Sequence, residues 1–400
     1  MTVNSYVGIR FSAGLAVPIN QNDYFSITFP NETNFVYNNI YGISFYSLPP
    51  TISGQTVLIY NQPSLVQTYA QNTNYILTFQ YFQAPPSTLP TQPITFSVLR
   101  NGYPIMTGSA SLTAVTGTLT ATATMANTKV NANTSYTFAI TLANPLSNSG
   151  MIKIVLPSQI TITTNATTCA NIVGVGLNAI PTCTYFTSIN TILVSNINAS
   201  SSNVTAQTLR LTINGLTNPG DTSATSSFAL TTYYSSNQAG LTDTGSAAGV
   251  TATIGTIAIS SASVTPSNYL VLSTGVSYTI TFTNTYLIPQ YGFVSILVPS
   301  DVLITLASIS SYCKLSLNGG AFQSTPCQGT TNSSAYQINF TALAQTAPIP
   351  ANSTISLQIA TLCQNPTNTR IVSPFAITTY SATAPIETLS GLTVQMTTPA

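Results

Sequence analysis

Histidine and tryptophan are absent from this 400-residue sequence, and only 3% of its residues are charged. An ordinary soluble protein has about a quarter of its residues charged. The acidic residues are far apart and there is no histidine, so the usual general acids and bases are missing and we predict that the chain is not an enzyme. The six acidic residues are Asp23, Glu32, Asp221, Asp243, Asp301 and Glu387.

The few basic residues are also dispersed. Binding to nucleic-acid phosphates needs a cluster of Lys and Arg. The seven basic residues are scattered over the whole chain, so we predict no nucleic-acid binding. We predict no metal or other cofactor either, because zinc sites usually combine four cysteine and histidine ligands. Calcium sites need several acids near each repeat boundary, and the sequence offers none there.

Long apolar runs are missing as well. No segment has about 18 consecutive apolar residues, the length of a membrane-spanning helix, so we predict no membrane insertion. The first 20 residues include Arg10 and Pro18 and do not match a signal peptide, and residues 389–400 lack a hydrophobic anchor tail. We therefore expect the sequence to be a mature product or a segment of a longer protein.

Two long stretches repeat within the chain. SYTFAITLANPLSNSGMIKIVLPSQITI begins at Ser135, and SYTITFTNTYLIPQYGFVSILVPSDVLI begins at Ser277. A third, more diverged copy precedes them, in which YFSITFPNETNF from Tyr24 corresponds to MIKIVLPSQITI from Met151. Gly117 and Gly255 mark the boundaries, so the predicted domains are residues 1–117, 118–255 and 256–400.

Each copy contains short segments in which apolar and polar residues alternate. In the second copy, Tyr136, Phe138 and Ile140 alternate with small polar residues. Such alternation buries one face of a β-strand, and Gly, Pro and Asn clusters separate the segments. We predict an all-β fold of three tandem antiparallel Ig-like β-sandwich domains in an elongated array.

The cysteines repeat in the second and third copies. Cys169 and Cys183 are 14 positions apart, as are Cys313 and Cys327. We predict two local disulfides, which imply an oxidising compartment; the alternative, metal ligation, lacks enough ligands. The fifth cysteine, Cys363, aligns with Thr217 and is expected to be a buried thiol, with an intermolecular disulfide as the alternative.

The first copy lacks an opening strand. The second and third copies begin with Thr/Ala-rich segments at residues 118–125 and 256–262, whereas the first begins almost directly with Ser5. Either the chain was cut from a longer array, or the first copy closes differently, or a neighbouring subunit supplies a strand. The predicted assembly residues at the two ends are Val7, Ile9, Phe11, Leu392, Val394 and Met396.

Eight Asn-X-Ser/Thr sequons are candidates for N-glycosylation. A chain so rich in Asn, Ser and Thr would contain a similar number by chance, so each site is also compatible with no modification. Attached glycans would hydrate a surface that has few charges. The sequon asparagines are Asn31, Asn133, Asn165, Asn198, Asn203, Asn332, Asn339 and Asn352.

The combination SYTFAITLANPL, IVLPSQITI, a short Cys–Cys loop, LTNP and SSFALTTYYS resembles repeats of large, low-charge surface proteins of ciliates and other protists. It is more distantly similar to tandem Ig-like adhesins of bacteria. The resemblance implies an extracellular or cell-surface structural role. Two hypotheses follow: a glycosylated filament or coat subunit that joins copies of itself or neighbouring repeats head to tail, and an adhesin or carbohydrate-binding array that does not polymerise.

Overall fold

The computed structural model describes residues 1–35, 40–42, 50–60, 70–72, 74–163, 171–199, 203–332, 334–341, 343–344 and 346–398. Over these residues the fold is almost entirely β, which confirms the predicted all-β class. Three short 3₁₀ helices interrupt the strands there, at Thr187–Ile189, Ile259–Ser261 and Leu306–Ser311. None of the described helices is long and apolar enough to cross a membrane.

Strand pairing divides the described residues into three consecutive groups, because every strand pair lies within one of them. We call residues 1–116 the first strand group, residues 117–254 the second and residues 255–398 the third. Gly117 and Gly255, the glycines at the predicted boundaries, begin the first strands of the second and third groups.

The first strand group has two sheets. One has the order β1-β7-β3 with β4 also on β7, and the other has the order β5-β6-β2-β8-β9. Buried residues of both sheets, such as Phe25 and Phe79, form one core. The strands are β1 (Tyr6–Gly14), β2 (Tyr24–Thr28), β3 (Asn34–Phe35), β4 (Ile40–Gly42), β5 (Thr51–Ser53), β6 (Thr56–Tyr60), β7 (Asn74–Gln83), β8 (Ile94–Arg100) and β9 (Tyr103–Ala110).

The second strand group forms one continuous path, β14-β18-β12-β11-β20-β19-β13-β17-β16, with β10 on β20 and β15 on β18. The path is continuous because β11 pairs with β12 and also touches β20 through Ala121 and Ala247. The strands are β10 (Gly117–Thr118), β11 (Thr120–Met125), β12 (Asn133–Thr141), β13 (Met151–Val155), β14 (Thr161–Ile162), β15 (Asn171–Val173), β16 (Thr182–Phe186), β17 (Thr191–Ser195), β18 (Thr208–Thr217), β19 (Phe228–Tyr233) and β20 (Leu241–Ala247).

The third strand group has two six-stranded sheets. Their orders are β21-β32-β31-β24-β29-β28 and β22-β23-β30-β26-β27, with β25 on β30. The strands are β21 (Gly255–Thr256), β22 (Ala262–Pro266), β23 (Val276–Thr283), β24 (Phe293–Pro299), β25 (Leu303–Ile304), β26 (Cys313–Leu317), β27 (Gln323–Ser324), β28 (Cys327–Asn332), β29 (Ala335–Phe340), β30 (Thr354–Gln364), β31 (Ile371–Tyr380) and β32 (Pro385–Gln395).

The alternation in the sequence determines which faces are buried. Tyr136, Phe138 and Ile140 of β12 are all 0% exposed, and burial of each such side chain contributes about 2 kcal/mol. On the opposite face, the Thr137 hydroxyl forms a 3.0 Å hydrogen bond with the Thr212 hydroxyl of β18. Hydrogen bonds between uncharged hydroxyl groups therefore occupy polar side chains on the outer face of the sheet.

The opening strand of the third group differs from the prediction. The sequence placed it at residues 256–262, but β21 ends at Thr256 and a 3₁₀ helix covers Ile259–Ser261 before β22 begins at Ala262. The prediction was wrong because β21 and β22 pair with different strands, β32 and β23. The chain turns between the two sheets where a single strand was expected.

Candidate functional site

One edge of the first strand group is formed by β1, which carries the predicted assembly residues Val7, Ile9 and Phe11. β1 pairs antiparallel with β7, and no strand within the described ranges pairs with its other side. Ile9 is buried, whereas Val7 and Phe11 are half-buried against the core. The rings of Phe11 and Phe79 lie edge-to-face with centroids 5.5 Å apart. One edge of β1, with no partner strand among the described residues, therefore lies directly beside the core.

The corresponding edge is filled in the other two groups. β1, β12 and β23 are equivalent because each pairs with a long strand, respectively β7, β18 and β30. On the other side, β11 pairs with β12 along its full length, and β22 pairs with β23 in the same way. The first group lacks this opening strand among the residues that the structure describes.

A repeated pair of backbone hydrogen bonds supports this equivalence. In the first group, Val3 N donates to Val115 O at 2.9 Å and Val115 N donates to Met1 O at 2.9 Å. The corresponding bonds join Val130, Thr253 and Thr128 in the second group and Val271, Thr397 and Tyr269 in the third. The sequence comparison did not identify this feature.

The other predicted assembly residues, Leu392, Val394 and Met396, belong to the third group's core. Leu392 and Val394 lie in β32, and Met396 follows it. The three side chains are 6%, 4% and 2% exposed, respectively. In this fold they contact the core of their own group, because β32 is held between β31 and the short strand β21.

A disulfide joins Cys313 to Cys327, with Cα atoms 6.1 Å apart. Cys313 lies in β26 of one sheet and Cys327 begins β28, the edge strand of the other sheet, so the bond ties the two sheets together. Closing a loop of this length contributes about 3 kcal/mol. Cys183 in β16 is also disulfide-bonded, and Cys169 lies outside the described residues.

Cys363 is a free, buried thiol in β30. Burial raises its pKa to about 12. Its alignment with Thr217 was wrong by one position. Cys363 pairs with Val276 and Ile304, the environment that Leu216 has in the second group.

Two fully buried acids lie beside the boundary glycines. Asp243 Oδ2 accepts hydrogen bonds from the backbone N–H groups of Ala143 and Asn144, both at 3.1 Å. Its pairing with Gly117 brings it to the boundary. The sequence expectation that no acid lies near a boundary was therefore wrong, because strand pairing brings together residues distant in sequence.

Glu387 occupies the corresponding place in the third group, opposite Gly255. Burial raises the pKa of its carboxyl group, and hydrogen bonds from the Thr285 and Tyr286 backbone oppose that effect. Tyr286 packs with Val130, Ala252 and Ile386 in a small apolar cluster that joins the second and third groups. Glu387 thus orders a segment that contacts the neighbouring group.

Two further acids pair with arginines. Asp23 is buried and receives two hydrogen bonds from Arg100, Nε to Oδ1 at 3.0 Å and Nη2 to Oδ2 at 2.8 Å. Asp301 forms an ion pair with Arg370. No cluster of three or more potential metal ligands occurs in the described part of the chain. These acids serve local structure and do not converge on one another.

Four of the sequon asparagines are exposed: Asn31, Asn133, Asn203 and Asn352. Asn133 begins β12, and Asn352 adopts a positive φ of 63° in the turn before β30. These positions leave space for an attached glycan.

Two other sequons are less open. Asn198 and Asn339 are half-buried, and Asn198 Nδ2 donates to Ser147 O at 2.8 Å. A glycan on Asn198 would take one of the two N–H positions of this nitrogen, because Nδ2 is the atom that carries the sugar. Asn332 ends β28, and Asn165 lies outside the described residues.

No family model matches the chain, and no curated protein matches its sequence. Solved structures with similar folds include three bacterial surface proteins. The major pilin SpaD of Corynebacterium diphtheriae aligns over 96% of this chain and 88% of its own, with 9% identity and a TM-score of 0.24. A serine-rich repeat protein, Srr2, of Streptococcus agalactiae aligns over 68% and 92%, respectively, with 13% identity and a TM-score of 0.22.

The N-terminal domain of the Streptococcus gordonii adhesin Sgo0707 aligns over 65% of this chain and 60% of its own, with 11% identity and a TM-score of 0.24. The resemblance to protist repeats stays a prediction.

Proposed function

We propose that this chain is an extracellular structural protein, a glycosylated subunit of a surface filament or coat that assembles end to end by strand complementation. In this proposal each strand group is one Ig-like β-sandwich domain, and the three domains form an elongated array. The observation that carries the proposal is the edge of β1 that no strand of the described ranges covers, because its equivalents in the second and third groups are covered by β11 and β22.

An open sheet edge is a template for another strand, since its free N–H and C=O groups gain hydrogen bonds on pairing. The filling strand would resemble β11, whose Thr and Ala residues alternate. It would come from another copy or from a neighbouring repeat of a longer chain. A contact between two different surfaces of the same protein leaves both surfaces available on the growing assembly, so it propagates into a filament unless its rotation closes a ring.

A surface location is supported by the disulfide chemistry. The Cys313–Cys327 bond and the bonded Cys183 are typical of proteins in oxidising compartments. The exposed sequons are consistent with glycans that supply the hydration normally provided by charged side chains. Intact-mass measurement before and after glycosidase treatment tests this part, and an unchanged mass for protein from a eukaryotic host would contradict it.

Negative-stain imaging of the purified chain tests assembly. We expect filaments, and monodisperse short rods would overturn the proposal. A synthetic peptide of residues 118–125, in excess, should occupy β1 and shorten the filaments. Ala126 N, just after β11, donates to Ser135 O of β12, so in this register the N–H groups of Thr122 and Thr124 also face the partner strand. The matched control peptide carries Thr122→Pro and Thr124→Pro, which remove these two backbone donors and prevent strand pairing. It should leave the filament length unchanged.

A second candidate function is a carbohydrate-binding array that does not polymerise. It is favoured by one specific observation, an uncharged polar cleft between the first and second strand groups. Short rods in the imaging experiment would support this alternative, provided that the rods bind sugar.

A further inference from the structure

A cleft of about 210 Å³ lies where the first and second strand groups meet. The first group contributes Asn4 and Gln83, and the second contributes Asn203, Thr205 and Tyr234. Pockets for drug-sized ligands have roughly 300–1,000 Å³, so this cleft has room for a single small ring.

Direct contacts between the two groups hold the walls of the cleft together. Thr88 N donates to Leu241 O at 2.9 Å, and Leu241 N donates to Thr88 Oγ1 at 3.1 Å. Gly240 permits this close approach, because a Cβ atom there would lie 2.7 Å from Ser87 Oγ and its φ of +69° disfavours other residues. The cleft is therefore formed before any ligand binds.

The lining residues determine which ligand chemistry fits. No lining residue is charged, so a charged ligand would lose hydration without gaining a partner. Asn4, Gln83 and Asn203 provide three primary amides, each of which both donates and accepts hydrogen bonds. The Tyr234 side chain is 37% exposed and adds an aromatic ring with a polar end.

We propose that this cleft binds one neutral pyranose unit of a glycan. Sugar hydroxyls donate and accept hydrogen bonds, as the amides do, and the C–H face of a pyranose packs on an aromatic ring. The inference does not rest on filament formation, so sugar binding by short rods would support it even if the filament proposal failed.

The pyranose could come from either of two sources. Asn203 and Thr205 belong to one sequon, and both line the cleft. The side chain of Asn203 is held at the wall, since its Oδ1 accepts a hydrogen bond from Asn148 N at 3.2 Å. A glycan attached to Asn203 would place its first sugar at the cleft, and a glycan from outside would use the same groups.

Titration of the full chain from a bacterial host without N-glycosylation tests the proposal. Neutral monosaccharides (glucose, galactose, mannose and N-acetylglucosamine) are compared with glucuronic acid by ligand-observed NMR. We expect at least one neutral sugar to bind better than glucuronic acid. Tyr234→Ala should weaken its binding about tenfold through loss of ring contact. The matched control Tyr103→Ala, at a 76% exposed position of β9, should bind like wild type.

If Tyr234→Ala fails to fold, Gln83→Ala provides the same test by removing one amide. Absence of binding by any neutral sugar, equal binding of glucuronic acid, or wild-type affinity in a folded Tyr234→Ala or Gln83→Ala variant would overturn the proposal.

Protein from a eukaryotic host distinguishes the two sources. If Asn203 carries the resident sugar, glycopeptide mass spectrometry finds it modified, and added sugar binds only after Asn203→Gln or enzymatic deglycosylation. If Asn203 is unmodified, added sugar binds the protein directly. Added sugar that binds equally well with Asn203 modified would overturn the assignment to this cleft, because one ring fills it.

Discussion

The Glu387 carboxylate accepts a hydrogen bond from the backbone amide of Thr285 at 2.9 Å while its side chain is fully buried. Carboxylates are rarely fully buried in proteins unless they have a partner, and here the partner is a backbone N–H group. The contact orders the segment that places Tyr286 in the apolar cluster between the second and third groups. One acid therefore links the core of the third group to its junction with the second.

Glu387→Gln should flatten the dependence of stability on pH. Burial raises the pKa of Glu387 in the folded state above its ordinary value of 4.5. As the pH rises above 4.5, the unfolded chain releases this proton first, so this group lowers the free energy of unfolding until the pH passes the folded-state pKa. A Gln side chain has no titratable proton, and its carbonyl oxygen still accepts the hydrogen bond from Thr285 N.

Thermal unfolding of both proteins at pH 4 and pH 7 checks this prediction. We expect Glu387→Gln to gain stability relative to wild type as the pH rises. Glu32→Gln, at an exposed position, is the control and should follow the wild-type profile. Parallel profiles for Glu387→Gln and wild type would show that burial does not raise the pKa of Glu387 in the folded state.

Tyr278→Phe should destabilise the third group by about 1–3 kcal/mol, because Asn365 loses a buried donor. The Tyr278 hydroxyl donates to Asn365 Oδ1 at 2.8 Å, and Tyr136 makes the same bond to Asn218 in the second group. Urea unfolding measures the loss. Tyr103→Phe, at an exposed position, should stay within about 0.5 kcal/mol of wild type, and a similar value for Tyr278→Phe would contradict the role of the buried bond.

The double variant Cys313→Ala/Cys327→Ala should lower the free energy of unfolding by about 3 kcal/mol, because the unfolded chain regains the entropy of the open loop. Urea unfolding under non-reducing conditions measures this loss. Reduction of wild type should reproduce it and should leave the double variant's third group unaffected. An unchanged midpoint in the double variant would contradict the stabilising role of the bond.

Cys363 should resist thiol reagents in the folded protein. Its side chain is 1% exposed, and burial raises its pKa to about 12, so little reactive thiolate forms at pH 8. Iodoacetamide labelling followed by mass spectrometry should modify Cys363 only after denaturation. Rapid labelling of the native protein would show that the strand around Cys363 opens readily.

Local patterning made much of the fold predictable. The alternation around Phe138 and Phe282 predicts strands with one buried face, and both side chains are fully buried. Equal cysteine spacing predicts the Cys313–Cys327 bond, which the structure contains. These predictions hold because each depends on residues close together in the sequence.

Features that depend on register were less predictable. Val3 stands two residues before Ser5, whereas Val130 stands five before Ser135, so unequal spacing hid the repeated backbone bonds. The placement of Cys363 failed by one residue because the third group has one more residue in the bulge that follows Ile359 in β30. The residues around Asp243 and Glu387 in the sequence do not indicate that these acids lie at the boundaries, since only strand pairing brings them there.

Backbone hydrogen exchange along β1 tests whether the edge of this strand is open in the free chain and paired in the assembly. Exchange is followed by mass spectrometry on the unassembled chain, with and without the peptide of residues 118–125. We expect β1 amides to exchange faster than those of β12 and to become protected when the peptide binds or filaments form. Protection of β1 equal to that of β12 in the free chain, or no change on assembly, would contradict it.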